Sequence, residues 1–482
     1  MKPLDPRAAR RRFVTVTFLF WLPVGLYIPS QVLLLTERGM SLAVVAGLFA
    51  VHSLTVSVME LPTGGLSDVL GRRPVLAAAG LLNLCALTVM ALGTTVWALA
   101  VAMFLMGSGR ALSSGPAEAW YVDTVQAHSG AGAELRTGLA RGNTASAAAL
   151  AAGTLLGGAL PLLLGLGPDP GARLAGATGG LVLPLSVPGL LGAAVGVGFV
   201  AYVLTALPEP PRPPATLRGV LRGVPATMLG GLRLGATESL VRRVLLTAAA
   251  AGAALAAVEL LTPGRAARLT GAPESGAVLY AALACAGFLC TAVGSHCAPL
   301  TARLTGSSEH AVLAALGVST TGLALLGVTA AWDDGPAPLA LAALGYALVY
   351  LGLGAAGPNE NDLLHRRVDS TVRATALSVK SLALQSVAAL TGLVAGSLPV
   401  GPLPWLVGAT ALLLGALLWI RRAKPSTASH LSPVLRSEEV VLTASGSGPV
   451  PCCGSRVAAP RARHSGGIQP ASSPPEQQCG CR

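Results

Sequence analysis

Long apolar runs separated by short polar turns organise this chain from near its start to about residue 420. Each run is close to the ~20 residues needed to cross the hydrocarbon core of a bilayer. The pattern predicts twelve spans, at about 14–35, 42–66, 74–93, 96–122, 138–165, 180–206, 243–262, 275–297, 309–331, 337–358, 373–396 and 402–420. The sixth carries Pro184 and Pro188 near its start. Membrane strands would show segments of ~10 residues with alternating polarity, and the chain has none. Arg10, Arg11 and Arg12 precede the first run as they would in a signal peptide. No small-residue cleavage site follows, and Glu37-Arg38 leads directly into the next run, so the first run reads as an uncleaved helix.

Composition agrees with lipid as the solvent. The 482 residues are 52% hydrophobic and 11% charged, against about 25% charged in a soluble domain. The apolar mass is Ala, Leu, Val and Gly, whose small members let membrane helices approach closely. Basic residues gather before span one (Lys2, Arg7, Arg10–Arg12), in the even-numbered connections and after span twelve (Arg421, Arg422, Lys424). The odd-numbered connections hold only Arg38, Arg173, Arg265 and Arg268. This bias predicts that both termini are cytoplasmic. Topology and headgroup attraction account for the net charge of +12; nucleic-acid binding would need a basic folded domain with a motif.

The chain divides at Pro208–Val241, "PEPPRPPATLRGVLRGVPATMLGGLRLGATESLV". The expected organisation is a cytoplasmic N-terminus (1–13), a six-helix bundle (14–207), a cytoplasmic linker (208–241), a second six-helix bundle (242–421) and a disordered tail (422–482). "RTGLARGN" entering span five is echoed by "RATALSVK" entering span eleven, with Thr137 against Thr375 and Leu139 against Leu377. "GSHCAPLTARLTG" after span eight is a worn echo of the loop after span two. Together they suggest a duplicated six-helix unit.

That loop, "MELPTGGLSDVLGRRPVL" (Met59–Leu76), crowds charge and glycine between apolar runs. Gly64, Asp68, Gly71, Arg72 and Arg73 fill a pattern that resembles the signature loop between the second and third helices of the major facilitator superfamily. The alternative is an ordinary solvated turn with topogenic arginines. The resemblance extends to "GPNENDLLHRRVDSTVRATALS" (Gly357–Ser378) and covers Met1 to about Arg422, most closely in the manner of bacterial drug/proton antiporter-like members. It implies an all-α membrane protein of twelve transmembrane helices in two pseudo-symmetric six-helix bundles. It also implies a conformational latch, with the loop Arg meeting an acid at the inner end of span four (Asp123) and the loop Asp meeting the start of span eleven (Arg373, Thr375, Ser378). Two departures stand out. "GSGRALSSG" offers Arg110 and Gly115 with Ser114 where a Gln is common, and "AAGTLLGGALP" keeps Gly153, Gly157 and Gly158 without the Gly-Pro of many drug antiporters.

Charges inside spans are costly and tend to be functional. Glu60 and Glu118 are the candidate proton carriers, with Arg110 as modulator and His52 on the same face of span two as Glu60; the alternative is a structural ion pair among Arg110, Glu60 and Glu118. His52 also suits a packing role, and Glu259 and Lys380 read as side chains reaching toward an interface. Tyr27, Gln31, Asn143 and Gln385 are candidates for a substrate pocket. Trp21, Trp97, Trp120, Trp405 and Trp419 fit interfacial anchoring. There is no phosphate-cradling loop, metalloprotease motif or nucleophile elbow, so no enzyme, cofactor or metal is expected. Cys452, Cys453, Cys479 and Cys481 in the tail lack zinc-ligand spacing.

The reading is a monomeric, multi-pass cell-membrane transporter exchanging a small organic molecule for protons, with lipid and no nucleic acid as its other partner. A facilitator or nutrient importer of the same fold, or a non-transporting sensor, are the alternatives.

Overall fold

In a computed structural model the described residues are 4–420, apart from Gly65, Ala131, 210–228, 230–232, Leu234, 333–334 and 368–369; side chains at Leu61, Gly64, Asp68, 365–367, 370–375 and Leu377 are also outside the description. Helices account for nearly all of the rest. They are α1 (Pro6–Glu37), α2 (Leu42–Gly64), α3 (Leu66–Leu70), α4 (Arg72–Leu92), α5 (Val96–Ser113), α6 (Pro116–Ser129), α7 (Arg136–Leu164), α8 (Pro170–Ala177), α9 (Val187–Ala206), α10 (Ser239–Thr270), α11 (Pro273–Thr305), α12 (Ser308–Thr329), α13 (Pro336–Arg367), α14 (Ser370–Ser397) and α15 (Leu403–Leu417). Among the described residues eleven stretches are helical, long and apolar enough to cross a membrane, and the shorter α15 is apolar too.

The boundaries depart from the apolar runs where physics other than hydropathy decides. α1 begins at Pro6, not near residue 14, because Asp5 caps its N-terminus by accepting from the Ala8 N–H. α10 runs to Thr270, well past the expected end at 262. The fourth span is two helices: Ser114 is extended and Gly115 takes φ +96° before Pro116 starts α6. A positive φ suits glycine, and proline suits the first helical position, so "SGP" is a built break.

Five helix pairings occur in both halves. α1 packs on α7 as α10 packs on α14; α4 on α5 as α12 on α13; α4 on α9 as α12 on α15; α2 on α5 as α11 on α13; and α1 on α9 as α10 on α15. This is a pseudo-symmetric pair of six-span bundles. The halves meet chiefly where α2 packs on α14 and α7 on α11, which are again equivalent pairs.

The two ends of the bundle differ. At the distal end, away from the termini, Leu33, Leu34 and Leu185 of the first half form one buried cluster with Ala277 of the second. A Cβ at Gly396 on α14 would sit 2.9 Å from the Leu42 carbonyl on α2, and one at Gly158 on α7 would sit 2.8 Å from the Ala277 carbonyl on α11. Only glycine lets the backbones come so close. Arg38 donates to the carbonyls of Met90 (3.0 Å), Gly93 (2.6 Å), Ala91 and Leu181 (3.2 Å), so it caps the C-terminus of α4. Arg265 does the same for α12, donating to the Thr329 carbonyl at 3.0 Å.

Three tryptophans expected at the lipid interface are interior instead. Trp120, Trp405 and Trp419 are buried. The Trp120 indole donates to the Pro208 carbonyl (2.8 Å) and that of Trp419 to Thr247 Oγ1 (2.9 Å), which satisfies the polar edge of each ring. Trp97 remains 84% exposed, as an anchor would be.

Candidate functional site

The signature loop sits at the terminal end. Gly71 takes φ +104° and releases the chain from α3 into α4. Arg72 Nε lies 3.4 Å from Asp123 Oδ2 on α6, with the two side chains 17% and 38% exposed. Arg72 also donates to Ser67 Oγ, and Arg73 to the Leu204 carbonyl. These contacts fall within the first half, so the Arg72–Asp123 pair braces the loop and does not itself bridge the halves. The side chains of Asp68 and Arg373, the expected bridge, lie outside the described residues, and Gly64 ends α2.

Glu209 completes this corner. Its carboxylate accepts the backbone N–H groups of Arg72 (2.9 Å) and Arg73 (3.0 Å), so an acid from the segment after α9 caps the N-terminus of α4. Orphan donors and the positive end of the helix dipole both favour a carboxylate there. Sequence reasoning assigned Glu209 to the linker; the available signal was an acid leaving the sixth span at the end where the loop arginines lie.

Glu60 supplies a link between the halves. Ser381 Oγ on α14 donates to its Oε2 at 2.7 Å. Beside Ser381, Lys380 turns into the second half and pairs with Glu360 on α13 at 2.8 Å, with side chains 18% and 6% exposed, and also reaches Asn361 Oδ1 at 3.2 Å. Lys380 therefore does not reach for an interface; it neutralises a buried acid. The acid, in "PNEN" of the tenth span, was overlooked because it was read as part of a loop motif. Asp362, next along α13, accepts from Ser308 Oγ at 3.3 Å.

The four pocket candidates do not converge. Asn143 lines a cavity of about 300 Å³ with Arg110, Glu118 and Trp21 inside the first half. There the Arg110 guanidinium lies 5.0 Å from the Trp21 ring centroid, a cation–π contact, and Glu60 is within its electrostatic reach. Glu118 stands in the first turn of α6, exposed in this cavity rather than embedded in a continuous span. Tyr27 and Gln31 line a separate, small apolar cavity of about 60 Å³ with Asn83. The Tyr27 hydroxyl has no hydrogen-bond partner, and Gln31 Nε2 is 3.9 Å from Met103 Sδ.

Gln385 lines a third cavity, also of about 300 Å³, between α2, α10 and α14. His52 and Glu259 line it too. Glu259 thus contributes to a cavity shared by both halves, which corrects its expected reach toward a membrane interface. His52 Nδ1 is buried without a hydrogen-bond partner.

Two repeated six-span halves with polar cavities in and between them, in a body whose apolar side chains face outward, define a multi-pass membrane protein with the architecture of secondary transporters. The sequence profile of the Major Facilitator Superfamily matches residues 13–392, and the chain belongs to that superfamily. Among solved structures it is similar to the nucleoside transporter NupG (13% identity, TM-score 0.64, covering 86% of this chain and 98% of that one). It is also similar to a bacterial homologue of the iron transporter ferroportin in an inward-facing state (16%, 0.64, 86% and 99%). A third is a bacterial homologue of the human lysosomal transporter Spinster, inward-facing and unoccupied (14%, 0.60, 86% and 95%). At such identities the likeness establishes the fold. A search of curated proteins by sequence found no match.

Proposed function

We propose that this protein exports a small organic molecule in exchange for protons across the cell membrane, with both termini cytoplasmic. The positive residues of the terminal end support that orientation. The distal end is packed shut, which supports an inward-facing arrangement like that of the ferroportin and Spinster homologues. The observation that carries proton coupling is the Glu60–Ser381 hydrogen bond between the halves. A carboxylate that both carries a proton and holds the α2–α14 contact ties its charge state to the packing of one half on the other. Ionised, Glu60 accepts a charge-assisted hydrogen bond from Ser381; protonated, it accepts a weaker one, and the hold of one half on the other loosens. Glu118, in the cavity with Arg110, relays protons from the terminal end, and His52 tunes the interface. Asp68, Arg72, Arg73, Asp123 and Arg373, with the turn glycines Gly64 and Gly71, act as a latch on the cytoplasmic face. Tyr27, Gln31, Asn143 and Gln385 contribute to substrate contact.

The test is transport in proteoliposomes with an imposed pH gradient, using a substrate found by screening altered compound sensitivity on deletion and overexpression. Glu60→Gln is expected to abolish gradient-driven accumulation while leaving exchange of substrate for substrate. Gradient-driven accumulation at the wild-type rate removes Glu60 as the carrier.

A further inference from the structure

The cavity between α2, α10 and α14 has one formal charge in its lining. Glu259 is that charge, and its neighbours there are His52, Ser53, Gln385 and apolar side chains such as Phe49 and Leu255. Its carboxylate has no hydrogen bond or ion pair among the described residues. Arg110 acts on His52 electrostatically, but its guanidinium lies over Trp21 in the other cavity, where Glu60 engages it. The phenols of Tyr280, Tyr346 and Tyr350 lie within electrostatic reach of Glu259, with the Tyr346 and Tyr350 rings 4.8 Å apart.

The contrast with Glu360 is informative. Glu360 is buried and has Lys380 at 2.8 Å. Glu259 lines the cavity and, among the described residues, has no cationic side chain at hydrogen-bond or ion-pair distance. A carboxylate without a counter-charge inside a membrane span is costly, and such groups persist in membrane proteins where a ligand or a proton supplies what the protein withholds. The cavity volume suits a compact organic molecule. Apolar walls with the Phe49 ring among them, around a carboxylate, favour an organic cation over a hydrated inorganic one, because the ring attracts the cation and the walls accept its hydrocarbon. Gln385 and Ser53 add polar groups to the lining. The position also fits: residues from both halves line the space, so relative movement of the halves changes its access.

The geometry points to an organic-cation site: a protonated amine or quaternary ammonium held by Glu259 between the two halves. That this is where the transported molecule sits rests on the transport reading above; the binding of the cation does not.

The experiment uses the purified full chain in lipid nanodiscs without any gradient. The probe is benzyltrimethylammonium, compared with its neutral carbon isostere neopentylbenzene, by equilibrium binding. The wild type is expected to bind the cation about tenfold tighter than the isostere, a difference one desolvated charge contact readily supplies. Glu259→Gln should remove that preference and leave the isostere unaffected, which also reports an intact cavity. Glu259→Asp should retain part of the preference. A measurement on the wild type alone covers the case of a variant that does not fold. Dicyclohexylcarbodiimide modification of Glu259, read by peptide mass spectrometry, should be blocked by the cation and not by the isostere. Absence of cation binding to the wild type, or a cation preference that survives Glu259→Gln, overturns the site. Failure of the transport reading looks different: cation binding to wild type as expected, with no substrate movement in liposomes.

Discussion

The two halves solve the same problem identically at one end of the molecule and differently at the other. Distally, Arg38 caps α4 and Arg265 caps its counterpart α12. At the terminal end the first half uses a partly exposed pair, Arg72–Asp123, braced by Glu209. The second half instead buries Lys380 against Glu360. The caps do the same work on equivalent helices, so duplication kept them. The terminal ends have diverged: the first half carries a pair exposed enough to break and re-form, and the second a fixed internal support. Such an asymmetry leaves the second half with the fixed contact and the first with the more exposed one.

The comparison breaks most visibly at Lys380. Lys380→Met strands the buried Glu360 and is expected to cost about 3 kcal/mol, read as a lowered thermal unfolding midpoint in detergent. The double variant Lys380→Met with Glu360→Gln should recover most of it. If the single variant is as stable as the wild type, the reading of this contact as a fixed support is wrong.

Arg38→Ala and Arg265→Ala sharpen the distal equivalence. Each leaves buried carbonyls without a donor and should cost about 2 kcal/mol by the same measurement. A large effect in one half and none in the other would show that only one cap is used. Glu209→Gln, which keeps the shape of the cap but removes its charge, should cost about 1 kcal/mol, reduced further by salt. No change in stability would demote that contact to a packing coincidence.

The smallest stability effect is expected at the latch. Asp123→Asn should change stability by less than ~1 kcal/mol, since the pair is partly exposed. It should nonetheless slow transport while leaving substrate affinity unchanged, because the site lies away from the cavities. The swap Arg72→Asp with Asp123→Arg should restore part of the rate. Reduced substrate affinity in Asp123→Asn would place the corner in the binding machinery instead.

Much of the fold was legible because a bilayer makes apolar length nearly sufficient to define a span. The break in the fourth span was written as Ser114-Gly115-Pro116 but masked by apolar residues on both sides, so hydropathy read through it. The Arg72–Asp123 pair was legible because Arg72 opens the third span and Asp123 directly follows the expected end of the fourth. Glu209, Glu360 and Glu259 were not, for one physical reason: each owes its role to what another helix brings or fails to bring. Lys380 makes Glu360 structural, and the lack of any such cation among the described residues leaves Glu259 exceptional; neither condition is local in sequence. The same holds for Trp120 and Trp419, whose indoles find partners 88 and 172 residues away.

The Trp120–Pro208 and Glu209–α4 contacts have a practical corollary. They finish the first half at residue 209, with its last residues tied to α6 and α4 rather than to anything in the second. A gene split directly after the codon for Glu209 would therefore yield a first polypeptide that keeps both of these contacts. Co-produced in one membrane, the two fragments should find each other along α2–α14 and α7–α11 and restore a working assembly. A split placed before Pro208 should yield a first fragment with an uncapped α4 and an unsatisfied indole, and correspondingly less reassembled protein.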